Sequence, residues 1–220
     1  MITLYHWPIS GSSRPVWITL IEKGLEFELV EIELNNEEQF KPEFLAINPF
    51  HHIPVLVDDG LTIVESLAIL DYLEAKYPTP AMLPKDAKDL AIVRMVQHIY
   101  VNEILPTKMP LMSVMFDLPK KNPEAIEQAK IKVITALKFF ENLLDDRPFF
   151  GSNHLTLADV VVGSIIPSVP KTGISLDEYP KLTAWCDRLV VRPAWQTTQA
   201  TSEMIEIYHK LLIKRIGIAN

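Results

Sequence analysis

The sequence predicts an α/β N-terminal half followed by an all-α C-terminal half, and three observations carry that division. From Ile2 to Tyr77, strand and helix signals alternate in the order βαβ, then α, then ββα. From Pro78 to Lys88 the pattern lapses into Pro78, Pro80, Pro84 and mixed charge, the composition of a linker. Beyond it the strand signals stop, and apolar residues recur only at helical spacing. The expected organisation is a domain over 1–79, a linker over 80–88 and an all-helical domain over 89–220.

Ile2 to Tyr5 reads as a short apolar strand, and His6-Trp7-Pro8-Ile9-Ser10-Gly11-Ser12-Ser13 after it is a loop crowded with turn formers and hydroxyls. A helix follows, with Val16, Trp17, Leu20 and Ile21 on its apolar face, Pro15 suited to its first turn and Gly24 to its C-terminal cap. From Phe27 to Leu34 apolar residues alternate with Glu28, Glu31 and Glu33, with one slip at Leu29-Val30, so a half-buried strand is expected. Strand, helix and strand make a βαβ unit, whose crossover is right-handed in nearly all proteins. A further helix is expected over Gln39 to Ala46.

The stretch from Asn48 to Tyr77 organises the rest. Val55 to Val57 and Leu61 to Val64 are short apolar runs separated by Asp59-Gly60, a strong hairpin signal because a type I′ turn needs positive φ at both central residues. Leu67, Leu70, Leu73 and Tyr77 then keep helical spacing until Pro78. Glu65 and Ser66 therefore stand at a helix N-terminus, where outward backbone N–H groups welcome a ligand carboxylate. Pro54 precedes its strand directly. A cis Ile53-Pro54 bond would turn the Ile53 backbone outward, ready to pair with a peptide; a trans proline would merely open an edge strand and is the commoner form.

In the second half, Leu90, Val93, Met95, Val96, Ile99 and Tyr100, then Pro106 and Pro110, predict a long helix over Asp89 to Phe116 that kinks or restarts near Leu105. Helices are also expected over Glu124–Asp145, Leu157–Ile166 (buried), Leu182–Val191 and Ala194–Leu212. Thr156-Leu157-Ala158-Asp159 reads as a capping box, which assigns Asp159 to stability.

Composition excludes several classes. The chain has 220 residues, 48% of them hydrophobic, enough for real cores. Its net charge of −7 and the lack of a Lys/Arg-rich run argue against a nucleic-acid partner. No apolar run approaches a membrane span and no secretory signal opens the chain, so a cytoplasmic location is expected. The single Cys186 has no partner for an internal disulfide and reads as a small hydrophobe on a helix.

The combination of Ile53-Pro54, a hairpin, Glu65-Ser66 and a helix resembles the glutathione-binding half of the cytosolic glutathione S-transferases. Phe150-Gly151-Ser152, Thr156 to Asp159, Tyr179-Pro180, Trp185 and Arg192-Pro193-Ala194-Trp195 resemble that family's C-terminal domain, so the likeness runs along nearly the whole chain. It implies a thioredoxin-like N-terminal domain, with the helical domain contributing the hydrophobic substrate site. It implies that Ile53 pairs with the cysteinyl backbone of glutathione and that Glu65 and Ser66 hold its γ-glutamyl end. His52 and Gln39 fall where relatives contact the glycyl carboxylate, although His52 replaces the usual Gln or Lys and His51 replaces a small residue.

Conjugation by glutathione needs a thiolate, and a free thiol with its pKa near 8.5 is only a few per cent ionised at neutral pH. The loop after the first strand offers hydroxyl donors beside a helix N-terminus. Matching Ser13-Arg14-Pro15-Val16 to the corresponding stretch of the theta-like and phi-like classes puts their catalytic serine at Ser10. Ser12 and Ser13 compete for that role, with one of them the expected helix N-cap, and Arg14 is either a positive charge near the sulfur or a structural ion pair. His6 is either a hydrogen-bond donor or an ordinary residue ending a strand.

Adjacent His51 and His52 do not converge on one ion, so no metal and no cofactor is expected, glutathione being a co-substrate. The expected partners are glutathione and a hydrophobic electrophile, and a detoxifying transferase is the leading function. Phe50 sits where dimeric relatives insert an aromatic key, which implies a homodimer. Two alternatives stay open. One is a glutathione-dependent isomerase of the zeta type, whose hydroxyl-rich loop resembles Ser10 to Ser13; the other is a non-enzymatic binding protein of the same fold.

Overall fold

Apolar residues alternating along Ile2-Thr3-Leu4-Tyr5-His6 build the first strand, β1 (Ile2–His6), in the computed structural model, which describes residues 1–119 and 121–215. Helix α1 (Ser13–Glu22) follows and buries Val16, Ile18 and Leu20. Strand β2 (Phe27–Glu31) runs parallel to β1 with His6 opposite Glu31. It is shorter than the expected Phe27 to Leu34, because β1, its one neighbour in the sheet among the described residues, ends at His6. The chain then turns through a 3-10 segment at Leu34–Asn36, with Glu37 left-handed at φ 58°.

The helix expected over Gln39 to Ala46 is instead a 3-10 turn, Glu38–Phe40, and a single helical turn, α2 (Pro42–Leu45). Pro42 sets that division: the residue before a proline is driven out of helical conformation, and Lys41 is extended at φ −66°, ψ 143°.

β3 (Val55–Asp58) and β4 (Leu61–Val64) form the hairpin, with Asp58 opposite Leu61 and both Asp59 and Gly60 at positive φ. The four strands lie in the order β2-β1-β3-β4, with β3 antiparallel to β1. Helix α3 (Ser66–Lys76) packs beside α1 and over the hairpin. Asp58 fixes that packing, accepting from Tyr72 Oη at 3.0 Å, Tyr77 Oη at 2.7 Å and Lys76 Nζ at 2.8 Å. Burial works to raise the Asp58 carboxyl, but Lys76, Tyr77 and Tyr72 outweigh it and hold the group below its ordinary value.

On the other side of the sheet, Ile32, Phe44 and Val55 form a core cluster joined by Tyr5, Val30, Ile47 and Ile53. The buried Lys23 donates to Glu74 Oε2 at 2.6 Å, Tyr77 O at 2.8 Å and Pro80 O at 2.9 Å. All three ammonium donors are thus used, which makes its burial tolerable. Pro80 follows a second cis bond, Thr79–Pro80.

The helical part begins with α4 (Ala87–Ile99), whose N-cap Asp86 accepts from the N–H groups of Lys88 and Asp89. A π-helical turn at Tyr100–Ile104 and a 3-10 turn at Leu105–Thr107 then lead into α5 (Lys108–Met115), so the helix does restart near Leu105. Beyond it come α6 (Pro123–Leu143), α7 (Leu157–Gly163) and α8 (Pro180–Val190). α7 stops short of the expected Ile166, and a 3-10 segment, Ile166–Thr172, replaces its end where Pro167 and Pro170 forbid helical hydrogen bonds. The capping box forms: Thr156 N–H donates to Asp159 Oδ2 at 2.8 Å, and Asp159 N–H donates to the Thr156 hydroxyl at 3.5 Å.

The expected helix over Ala194 to Leu212 is two, α9 (Pro193–Thr197) and α10 (Ser202–Arg215). Thr201 makes the break, its hydroxyl accepting the Met204 N–H at 3.2 Å as a cap does. Contacts divide the chain into two units, one of Met1–Ala81 with Pro193–Leu212, the other chiefly Met82–Arg192. The segment Pro193–Leu212 thus belongs with the sheet and not, as its helical pattern led one to expect, with a domain running from 89 to 220. No described helix is long and apolar enough to cross a membrane.

Candidate active site

Register brings the candidate residues to one end of the sheet. Tyr5 pairs with Val55 and Val55 with Val64, so the segments that leave β1, enter β3 and leave β4 all emerge at that end. These segments carry Ser10, Ile53 and Glu65-Ser66. β2 is parallel to β1 and exits the same way, on the path that carries Gln39.

Ser10 is half-buried and tightly held. Its N–H donates to Trp7 O at 2.9 Å, and its carbonyl accepts from Ser13 N–H at 3.1 Å and Arg14 N–H at 3.0 Å. Its hydroxyl oxygen also accepts from Ser13 N–H, at 3.2 Å. This corrects the expected cap: Ser12, the residue before α1, makes no side-chain capping bond, and Ser10 does that work from three residues away. Ser13 is buried, and its Oγ has no partner among the described residues. No acidic residue occupies the first turn of α1, so no side chain of that turn offsets the positive end of its dipole.

The Ile53–Pro54 bond is cis. Ile53 lies just outside β3, and among the described residues no hydrogen bond engages its N–H or C=O. A free donor and acceptor at a strand entry is the geometry an extended peptide needs. Asn48, which sequence reasoning passed over, shapes the approach: its Oδ1 accepts Phe50 N–H at 3.0 Å and its Nδ2 donates to His52 O at 2.7 Å. The only hint in the sequence was the Asn-Pro turn signal.

Glu65 precedes α3 with φ 68° and ψ 116°, a sparsely populated conformation for a residue with a side chain, and such outliers cluster at binding sites. Its side chain is exposed and Ser66 is half-buried at the open helix end, which carries no side-chain cap and no acid in its first turn.

Gln39 is buried, and among the described residues its Oε1 has no partner. His52 is exposed, and its ring meets that of His51 edge-on at 5.1 Å while His51 also lies 4.9 Å from Phe40.

His6 is a core residue, only 3% exposed and edge-on to Trp17 at 5.0 Å. Burial lowers its pKa to about 4, so it is neutral at physiological pH. Arg14 is turned away from a simple donor role: its Nε donates to Thr198 Oγ1 at 3.2 Å and its guanidinium also reaches Trp195 O at 3.2 Å. Burial pulls that guanidinium below its ordinary value, and it stays charged. Neither Thr198 nor Trp195 carried any local signal of this contact.

Such an end can receive an extended peptide along Ile53, a charged terminus at Glu65-Ser66 and a polarisable atom at the Ser10 hydroxyl. Residues 4–81 match the model of the glutathione S-transferase N-terminal domain, and residues 96–193 match that of the C-terminal domain. The chain is 31% identical to glutathione S-transferase D7 of Drosophila melanogaster over 89% of its own length and 87% of that protein. It is 30% identical to maleylacetoacetate isomerase of Rattus norvegicus, over 89% of this chain and 90% of the relative. Among solved structures it is similar to a glutathione transferase homologue from Drosophila mojavensis with bound glutathione, at 27% identity and a TM-score of 0.80, over 97% of this chain and 96% of that one.

Proposed function

The chain belongs to the glutathione S-transferase family, and from that premise we propose that it joins the glutathione thiolate to hydrophobic electrophiles, using Ser10 to hold the sulfur as an anion. One observation carries the reading most: the Ser10 hydroxyl, the unpaired Ile53 backbone and the Glu65-Ser66 helix end share one end of the sheet. Ile53 pairs with the cysteinyl N–H and C=O of the tripeptide. Glu65 and Ser66 take the γ-glutamyl ammonium and carboxylate, the latter at the positive end of α3. His52 and Gln39 face the glycyl carboxylate.

The Ser10 oxygen already accepts a bond from Ser13 N–H, which leaves its proton free to donate to sulfur. Lowering a thiol pKa by two units requires about 2.7 kcal/mol of preference for the thiolate. A charge-assisted hydrogen bond together with a helix N-terminus supplies energy on that scale. The thiol proton leaves to solvent, and the sulfur lone pair forms the new S–C bond. A leaving group departs from carbon, or, with a conjugated acceptor, the α-carbon takes up a proton.

The serine-type, theta/phi-like class follows from the Ser10 match, and a cytoplasmic detoxifying role from the family. Phe50, 61% exposed in the loop that Asn48 shapes, supports a homodimer keyed by that ring. A second reading, glutathione-dependent cis–trans isomerisation, is favoured by the similarity to maleylacetoacetate isomerase and by the hydroxyl-rich Ser10 to Ser13 segment. In it the same thiolate adds to a double bond, rotation follows, and elimination returns glutathione.

Retention on immobilised glutathione, then turnover of halonitroarene, isothiocyanate, peroxide and maleyl substrates, tests the proposal. Conjugation lost in Ser10→Ala supports it. Binding without any turnover leaves a binding protein, and turnover of the maleyl substrate alone selects the isomerase.

A further inference from the structure

Among the described residues the Ser10 backbone is fastened to three others, Trp7 before it and the Ser13-Arg14 pair after it. Both flanks are gripped by the far end of the chain. The Trp7 indole meets the ring of Tyr208 edge-on at 5.4 Å. The Arg14 guanidinium is held by the Thr198 hydroxyl and the Trp195 carbonyl, each at 3.2 Å. Thr198 is buried and oriented in turn, its own proton donated to Ala194 O at 2.8 Å and its N–H to the same carbonyl at 3.1 Å. Trp7, Arg14, Thr198 and Tyr208 all belong to the same unit of the chain.

We propose that Thr198 and Tyr208 are positioning residues, which set the Ser10 hydroxyl against the glutathione sulfur by clamping Arg14 and Trp7 on either side of it. Neither touches the tripeptide in this account. The clamp rests on the reading of Ser10 given above for its chemical consequence, but its structural half stands alone. Geometry explains why the task falls to the C-terminal segment. A loop crowded with Pro8, Gly11 and three serines has little packing of its own to define a hydroxyl position, and a donor misplaced by a fraction of an ångström loses much of its effect.

The test compares wild type, Thr198→Val, Thr198→Ser and Tyr208→Ala. Thr198→Val keeps the shape of the side chain and deletes the hydroxyl, and Thr198→Ser restores it. Amide hydrogen exchange over residues 7–14, which needs no ligand, should quicken about tenfold in Thr198→Val and Tyr208→Ala and return to the wild-type rate in Thr198→Ser. Unchanged exchange overturns the clamp, whether or not glutathione binds. With glutathione bound, thiolate absorbance against pH should give a sulfur pKa about one unit higher in Thr198→Val, which at a pH below both values is a tenfold loss of thiolate at an unchanged glutathione dissociation constant. Quickened exchange with an unmoved sulfur pKa overturns the positioning role. A wild type that binds no glutathione counts against the transferase reading alone, and the exchange experiment then still decides the clamp.

Discussion

The Ser10 hydroxyl oxygen accepts the Ser13 N–H at 3.2 Å, so the side chain proposed to hold the sulfur also caps α1. That double duty gives Ser10→Ala two separable consequences. Loss of the cap lowers stability by about 0.5–2 kcal/mol. Loss of the donor lowers kcat by about a hundredfold to a thousandfold, the range for removing one such donor, and leaves the KM for glutathione little changed. Denaturant melts and steady-state kinetics on the same preparation check both, and unaltered turnover would remove Ser10 from the mechanism.

Asp159 ties the helical unit together. Its Oδ1 accepts Trp185 Nε1–H at 2.8 Å and Phe150 N–H at 3.1 Å, while Oδ2 accepts the Thr156 hydroxyl at 2.6 Å and its N–H at 2.8 Å. Burial raises its pKa from the ordinary 3.8 to about 6 even against these bonds. The folded state therefore holds a proton that the unfolded state releases. Stability from this group is greatest below pH 3.8, declines as pH rises towards 6 and is flat above, by up to about 3 kcal/mol in all. In Asp159→Asn that slope should vanish, and stability at neutral pH should still fall, by about 1–3 kcal/mol, because an amide nitrogen cannot accept from Thr156. Urea melts from pH 4 to pH 7 on both proteins test it; parallel pH profiles would contradict it.

Gly151 has φ +66°, and a Cβ there would lie 2.8 Å from the carbonyl oxygen of Asp89. Gly151→Ala should cost about 1–3 kcal/mol, since both the conformation and the contact oppose the methyl group. The Asp89 backbone is itself anchored through its side chain, which takes a bidentate bond from Arg147 at 2.9 Å to each oxygen. A midpoint unchanged in chemical denaturation would show that this loop yields easily.

Cys186 is buried in α8, and burial, with a smaller push from Asp187, drives its thiol up to about 12. A thiol reagent applied to the native protein at pH 8 should find no reactive group, and one equivalent should react after unfolding. Fast native labelling would place the thiol at the surface.

Local chemistry made much of this molecule legible. The hairpin at Asp59-Gly60 follows from two residues that tolerate positive φ, the α7 capping box from a threonine and an acid three apart, and the restart near Leu105 from Pro106. Ile53, Glu65 and Ser66 were equally readable as candidates, because a proline before a strand and an acid-serine pair before a helix are short-range patterns. The errors were also local in origin. Pro42 cut a helix to one turn, and Thr201 divided another, where apolar periodicity alone suggested continuity.

By itself the sequence determined the order of elements and the family, and it singled out the short segments proposed to carry chemistry, since these depend on residues within a few positions of one another. Only the tertiary structure decided that Lys23 is buried beneath Pro80, that His6 is a neutral core residue, and that Thr198 and Tyr208 bear on the loop around Ser10. The Arg14–Thr198 contact joins residues 184 positions apart. No periodicity reaches across such a distance; the contact exists because the closing helices return to the sheet, and that return is set by the packing of the whole unit.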